Sequence, residues 1–201
     1  MYRRNRNYSV WVPVVILLAL LSLAAIGIRR LLPVEKDPQT DVEPEIVSIP
    51  MREAPASFKA GQHMPDIGEA AASGSIELGT FSAGRDLIFI DDPRVWWESD
   101  EDKNDVEDDH SMHAAMEIPF RRLVNLASEK NAVLKVQDAY RAHGVHGPKS
   151  LHKEGRALDL TSDELSLEEL AKLCWVAGFD WVYHERNARS GSHVHCSVQR
   201  R

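Results

Sequence analysis

The chain has 201 residues, 43% of them hydrophobic and 27% charged, with a formal net charge of −7. Its first 36 residues carry a net +5, which leaves −12 for the remainder. A domain that acidic repels phosphate backbones, so a nucleic-acid partner is excluded. Two cysteines are too few for the cysteine-rich shells that close most structural zinc sites.

In chain order, Val10 to Ile28 is free of charge. At 1.5 Å per residue it reaches about 28 Å, close to the thickness of a bilayer core. With Arg3, Arg4 and Arg6 ahead of it, this segment predicts a cytoplasmic N-terminus over 1–9 and a transmembrane anchor over 10–32. The alternative is a signal peptide cleaved near Ser22-Leu23-Ala24. Six of the ten prolines then fall between Pro33 and Pro65, which predicts an extended linker over 33–74. The residues from 75 to 201 suffice for one folded domain.

Within that domain, the acidic run from Glu98 to Asp109 reads as a solvated loop, with a calcium site or partner surface as the alternative, and His110 and His113 read as a solvated helix start rather than a metal pair. Met116, Phe120, Leu123, Val124 and Ala127 form a helical stripe, with Pro119 at a helix start or kink. Arg156 to Thr161 alternates as a strand with Asp159 on one face and Leu158 and Leu160 on the other. Gly155, just before it, permits the turn that brings His152 back towards Asp159. Ser166 and Glu169 have capping-box spacing, an apolar stripe runs from Leu167 to Ala177, and Gly178 stands where a helix ends.

Two further strands are expected over Asp180–Glu185 and His193–Val198, joined by a hairpin loop over Arg186–Ser192. In the last strand His193 and His195 share one face, while Val194, Cys196 and Val198 share the other. Cys174 and Cys196 both face inward and read as buried thiols, with a disulfide as the alternative that an exported location permits. The expected fold class is α+β, an antiparallel sheet with helices packed on it. Its polar face offers two histidines and a carboxylate, the donor set of an open metal site, with a spare glutamate beside them.

The segments SLHKEGRALDLTSD, AGFDWVYHE and HVHCSV resemble the signalling domain of hedgehog proteins and its bacterial relatives, which share a fold and zinc site with the D-alanyl-D-alanine carboxypeptidases. The resemblance is clearest from about Val136 to Val198. It implies one zinc ion held by His152, Asp159 and His195, with Glu185 as general base and His193 and His146 as accessory histidines. Animal hedgehog domains also have a calcium site, but here Arg141 and His143 replace two of its aspartates and only Asp138 remains, so calcium binding is not expected. Ala139-Tyr140-Arg141 instead resembles the Gly-Tyr-Arg segment of the carboxypeptidases, whose arginine stabilises bound substrate.

The resemblance therefore implies a zinc peptidase of the DD-carboxypeptidase type, with an endopeptidase as the alternative. Its expected substrates are peptidoglycan stem peptides or small D-amino-acid peptides. Its expected location is the outer side of a bacterial cytoplasmic membrane, on a single-pass N-terminal helix. The rival reading is a weakly active or inactive hedgehog-like zinc-binding module that binds a cell-wall component or a protein.

Overall fold

The structure is a computed structural model that describes residues 50–98, 107–144, 146–188 and 191–201. The expected anchor over 10–32, most of the expected linker and the centre of the acidic run lie outside these residues. No helix among the described residues is long and apolar enough to cross a membrane.

Ten strands and four α-helices are described. The strands are β1 (His63–Met64), β2 (Leu87–Phe89), β3 (Val95–Trp97), β4 (Glu107–Asp108), β5 (Ser111–His113), β6 (Leu134–Asp138), β7 (Tyr140–Arg141), β8 (Ala157–Thr161), β9 (Trp181–Ala188) and β10 (Gly191–Ser197). The helices are α1 (Glu69–Ala72), α2 (Ala83–Asp86), α3 (Glu117–Glu129) and α4 (Leu167–Ala177). Six strands form the main sheet in the order β1-β9-β10-β8-β6-β3. Pairings β2–β5 and β4–β7 make two small ribbons.

The fold is α+β, as expected, but the sheet is mixed rather than antiparallel, because β3 pairs parallel to β6 at its edge. The chain leaves β3 and returns to β6 through α3, and parallel neighbours require such a crossover. Its other pairings are antiparallel.

One face of the sheet is apolar. Val136, Leu158, Leu160, Val182, Val194 and Cys196 are buried together with Phe120, Leu123 and Val124 of α3 and Leu170, Ala171 and Cys174 of α4. Pro119 lies in the first turn of α3, where its missing N–H costs little. The Ser166–Glu169 capping box of α4 is formed in both directions, and Gly178 closes that helix at φ 105°. Cys174 and Cys196 are free and buried, with their sulfurs 3.9 Å apart.

Three expectations are revised. β9 and β10 run on to Ala188 and back to Gly191, so most of the stretch read as a hairpin loop is strand. His110 is packed between Phe89 and Trp97 and starts no helix, while His113 does cap a helix start, accepting from Ala115 N at the 3-10 turn Ala114–Met116, but is buried rather than solvated. Residues read as the end of the linker belong to the fold: β1 pairs with β9, and Phe58 is fully buried.

Candidate metal centre

Strand register builds the site. His63, Tyr183, His195, Asp159 and Asp138 lie directly opposite one another across β1, β9, β10, β8 and β6, forming one row over the sheet. Side chains in such a row stand on the same face, here the one opposite the apolar core. One step along, His193 of β10 faces Glu185 of β9.

His152 arrives from a 3-10 turn, Leu151–Glu154, which Ser150 caps by accepting from His152 N. Gly155 ends that turn at φ 65°, and a Cβ there would lie 2.9 Å from the His113 backbone nitrogen. Only glycine meets both demands. Behind it, Arg156 is almost fully buried, pairs with buried Glu154 at 2.8 Å and donates to the carbonyls of Ser73, Ser75 and Val198.

These elements bring His152, Asp159 and His195 together, with one potential ligand atom from each within 4.8 Å of the others. His152 Nδ1 donates to the Ala139 carbonyl at 2.8 Å, which fixes the tautomer and leaves Nε2 with its lone pair. That Nε2 is buried without a hydrogen bond, 3.4 Å from Asp159 Oδ1. His195 presents Nδ1 to the same oxygen at 2.8 Å. A buried, unsatisfied ring nitrogen aimed at a carboxylate and a second imidazole fits a metal ion, since orphaned buried acceptors are otherwise costly.

The electrostatics agree. Burial would raise the Asp159 carboxyl, yet the imidazoles of His152 and His195 hold it well below the usual carboxylate range. Burial likewise opposes a charged His195, but hydrogen bonds to Asp159 and Glu69 and the charges of both carboxylates push it up to about 10.

The four other residues singled out in the sequence surround this trio. His193 Nε2 lies 3.5 Å from Asp159 Oδ1 and 3.4 Å from Glu185 Oε2. The His146 ring stacks on His152 with centroids 4.2 Å apart, and its Nε2 lies 3.1 Å from Asp138 Oδ2. Arg141 is buried with its Nε against Asp138 Oδ1. Asp138, His146 and His152 thus form a second group with ligand-like spacing, but a guanidinium already neutralises its only carboxylate.

Sequence reasoning missed Glu69. Its Oε1 lies 2.7 Å from His195 Nε2, although the two are 126 positions apart. Glu69 sits on the four-residue helix α1, too short to show a periodicity, in a stretch assigned to the linker.

The sequence pattern of the hedgehog amino-terminal signalling domain matches residues 47–197. Over 69 residues the chain is 46% identical to the Indian hedgehog B protein of Danio rerio, a match that covers 33% of this chain and 16% of that protein. It is 44% identical over 69 residues to the Indian hedgehog protein of Gallus gallus, with the same 33% and 16% coverage. It is 38% identical over 69 residues to the protein hedgehog of Drosophila hydei, covering 33% of this chain and 14% of that protein. The chain therefore spans only about a sixth of the length of the first of these relatives.

These similarities overturn the peptidase reading. The expected DD-carboxypeptidase activity and peptidoglycan or D-amino-acid peptide substrates came from the carboxypeptidase side of the resemblance, whereas the match lies on the signalling side. The bacterial setting came with them and is corrected on the same ground, since the similar proteins are hedgehogs of vertebrates and flies, while the anchor expected from Val10 to Ile28 lies outside the described residues. Arg141, to which the carboxypeptidase resemblance assigns the substrate, is engaged by Asp138. The catalytic roles given to Glu185, His193, His146 and Arg141 are therefore not carried forward.

Proposed function

Because the chain belongs to the hedgehog amino-terminal signalling domain family, we propose that its folded part is a metal-braced recognition domain that binds a protein partner in signalling. The observation that carries this reading is the convergence of His152, Asp159 and His195 inside the region that matches the family.

The ion proposed is zinc, one per chain. Two imidazole nitrogens and one carboxylate oxygen suit zinc, whereas calcium takes about six or more oxygen ligands and this group offers a single carboxylate. When bound, the ion supplies a cross-link between the His152 turn, β8 and β10 and keeps a coordination position for a ligand atom. The protein's part is to hold the ligands. The Ala139 carbonyl sets the tautomer of His152, and strand register sets Asp159 against His195. Around them Glu185, His193, His146 and Asp138 give the surface above the sheet a dense set of polar contacts. Such a surface suits specific recognition by a protein, in which buried, oriented polar groups reject ill-matched partners.

The test is metal-dependent binding. Immobilised protein is expected to bind the ectodomain of a receptor that recognises animal hedgehog proteins when loaded with zinc, and to lose that binding on chelation with the fold retained. Equal binding with and without zinc, or none in either state, would contradict the reading.

A further inference from the structure

The three-residue group is completed by a fourth side chain. We propose that Glu69 is a positioning residue of the metal centre: its carboxylate holds the Nε2–H of His195 and thereby turns Nδ1 towards the metal position. This rests on the metal reading above.

Two imidazoles serve the centre, and each has two ring nitrogens. A histidine that binds a metal through one nitrogen usually donates the other N–H to an acceptor, which fixes its tautomer and raises its basicity. For His152 that acceptor is the Ala139 carbonyl, 2.8 Å from Nδ1. For His195 the corresponding atom is Glu69 Oε1, 2.7 Å from Nε2, while Nδ1 lies 2.8 Å from Asp159 Oδ1. The two histidines thus use opposite ring nitrogens as anchors. Their remaining nitrogens, Nε2 of His152 and Nδ1 of His195, both converge on Asp159 Oδ1, at 3.4 and 2.8 Å.

Glu69 does not reach His195 by chance of a surface rotamer. It belongs to α1, which is not part of the sheet, yet four donors hold the backbone around it. Trp181 Nε1 donates to Ile67 O at 2.8 Å, and Gln199 Nε2 to Ala72 O at 2.8 Å. Arg156 donates to Ser73 O at 2.5 Å and to Ser75 O at 2.8 Å. Trp181 precedes β9 Tyr183, Arg156 precedes β8 Asp159 and Gln199 follows β10, so the strands that carry the metal centre also place its outer carboxylate. A carboxylate held this way costs little reorganisation when a neighbouring charge arrives.

The charges also balance. Asp159 and Glu69 together contribute two negative charges, one on each side of His195, which matches a divalent cation. Without Glu69 the half-buried His195 ring keeps Asp159 alone, and its outer N–H turns to whatever acceptor is near.

The experiment measures zinc(II) affinity of the full chain by competition with a chromophoric chelator, in the wild type, Glu69→Gln, Glu69→Ala and His152→Ala. Long-range proton–nitrogen NMR of the zinc-loaded protein reads which ring nitrogen of His195 carries its proton. Glu69→Ala is expected to weaken zinc binding by about 10- to 100-fold, as loss of such partners does elsewhere. Glu69→Gln, which keeps an acceptor oxygen without the charge, should fall between. In the wild type the proton should sit on Nε2 and exchange slowly, and in Glu69→Ala it should exchange fast. If zinc affinity and proton exchange are unchanged in Glu69→Ala while His152→Ala loses the metal, the positioning role is overturned and the metal centre stands. A loss of thermal stability alone would show that Glu69 merely braces α1, and would overturn it equally. If His152→Ala keeps wild-type affinity, the metal centre itself falls, and this inference with it.

Discussion

Asp159 is the hub of the polar face: three imidazoles lie within 3.5 Å of its Oδ1, from His152, His193 and His195. In the zinc-free protein this geometry makes stability depend on pH. The Asp159 carboxyl is held below its ordinary value, so its contribution is present above about pH 4 and lost as pH falls through the lowered value. His195 is raised from 6.5 to about 10, so its contribution is complete below 6.5 and lost as pH rises towards 10. Thermal unfolding in the presence of a chelator should therefore show greatest stability between about pH 4 and 6.5 and a decline up to pH 10. Zinc should remove that decline, since the metal takes the place of the proton. A zinc-free profile that stays flat between pH 6.5 and 10 would contradict the bridging of His195 between two carboxylates.

At the scale of elements, the 3-10 turn and β8 form one device, hinged at Gly155. Its φ of 65° is open to glycine, and the backbone of His113 stands 2.9 Å from where a Cβ would lie. Gly155→Ala should cost about 1–3 kcal/mol from the left-handed conformation and the contact together, read as a shift in denaturant midpoint at unchanged slope. Because His152 rides on this turn, zinc affinity should fall with it.

The alternation of β8 and β10 made the ligand faces legible in the sequence, since a period of two assigns every side chain to a face once the strand is recognised. The capping box and Gly178 marked α4 for the same local reason. The parallel pairing of β3 with β6 was not legible, because it depends on a crossover through α3 rather than on any pattern in either strand. Nor was Glu69, whose partner is 126 positions away and whose helix has only four residues.

Across the whole domain, Arg156 ties the parts together. It joins the Ser73–Ser75 segment, Glu154 of the turn and the backbone carbonyl of Val198 in one buried network. Arg156→Ala would leave the buried Glu154 carboxylate with the Glu77 N–H but without its guanidinium, and should cost about 3–5 kcal/mol. Equilibrium unfolding would register that loss. A change under 1 kcal/mol would show that the network relaxes onto solvent, contrary to its burial.

The fold class and the convergence of His152, Asp159 and His195 were legible from local pattern and resemblance, whereas the expected peptidase is contradicted by similarity to hedgehog proteins. Three ligands and a glutamate have the same spacing whether a family hydrolyses or binds. Spacing constrains chemistry that is possible, not chemistry that is used. The family match over 47–197 is to the hedgehog amino-terminal signalling domain, which speaks against the peptidase.

The central claim is one metal ion held by His152, Asp159 and His195, and elemental analysis of the purified protein tests it most directly. The account predicts one zinc per chain in the wild type, little or none in Asp159→Ala, and full occupancy in His193→Ala, whose imidazole lies outside the converging trio. A wild type without zinc, or an Asp159→Ala variant that retains it, would contradict the account.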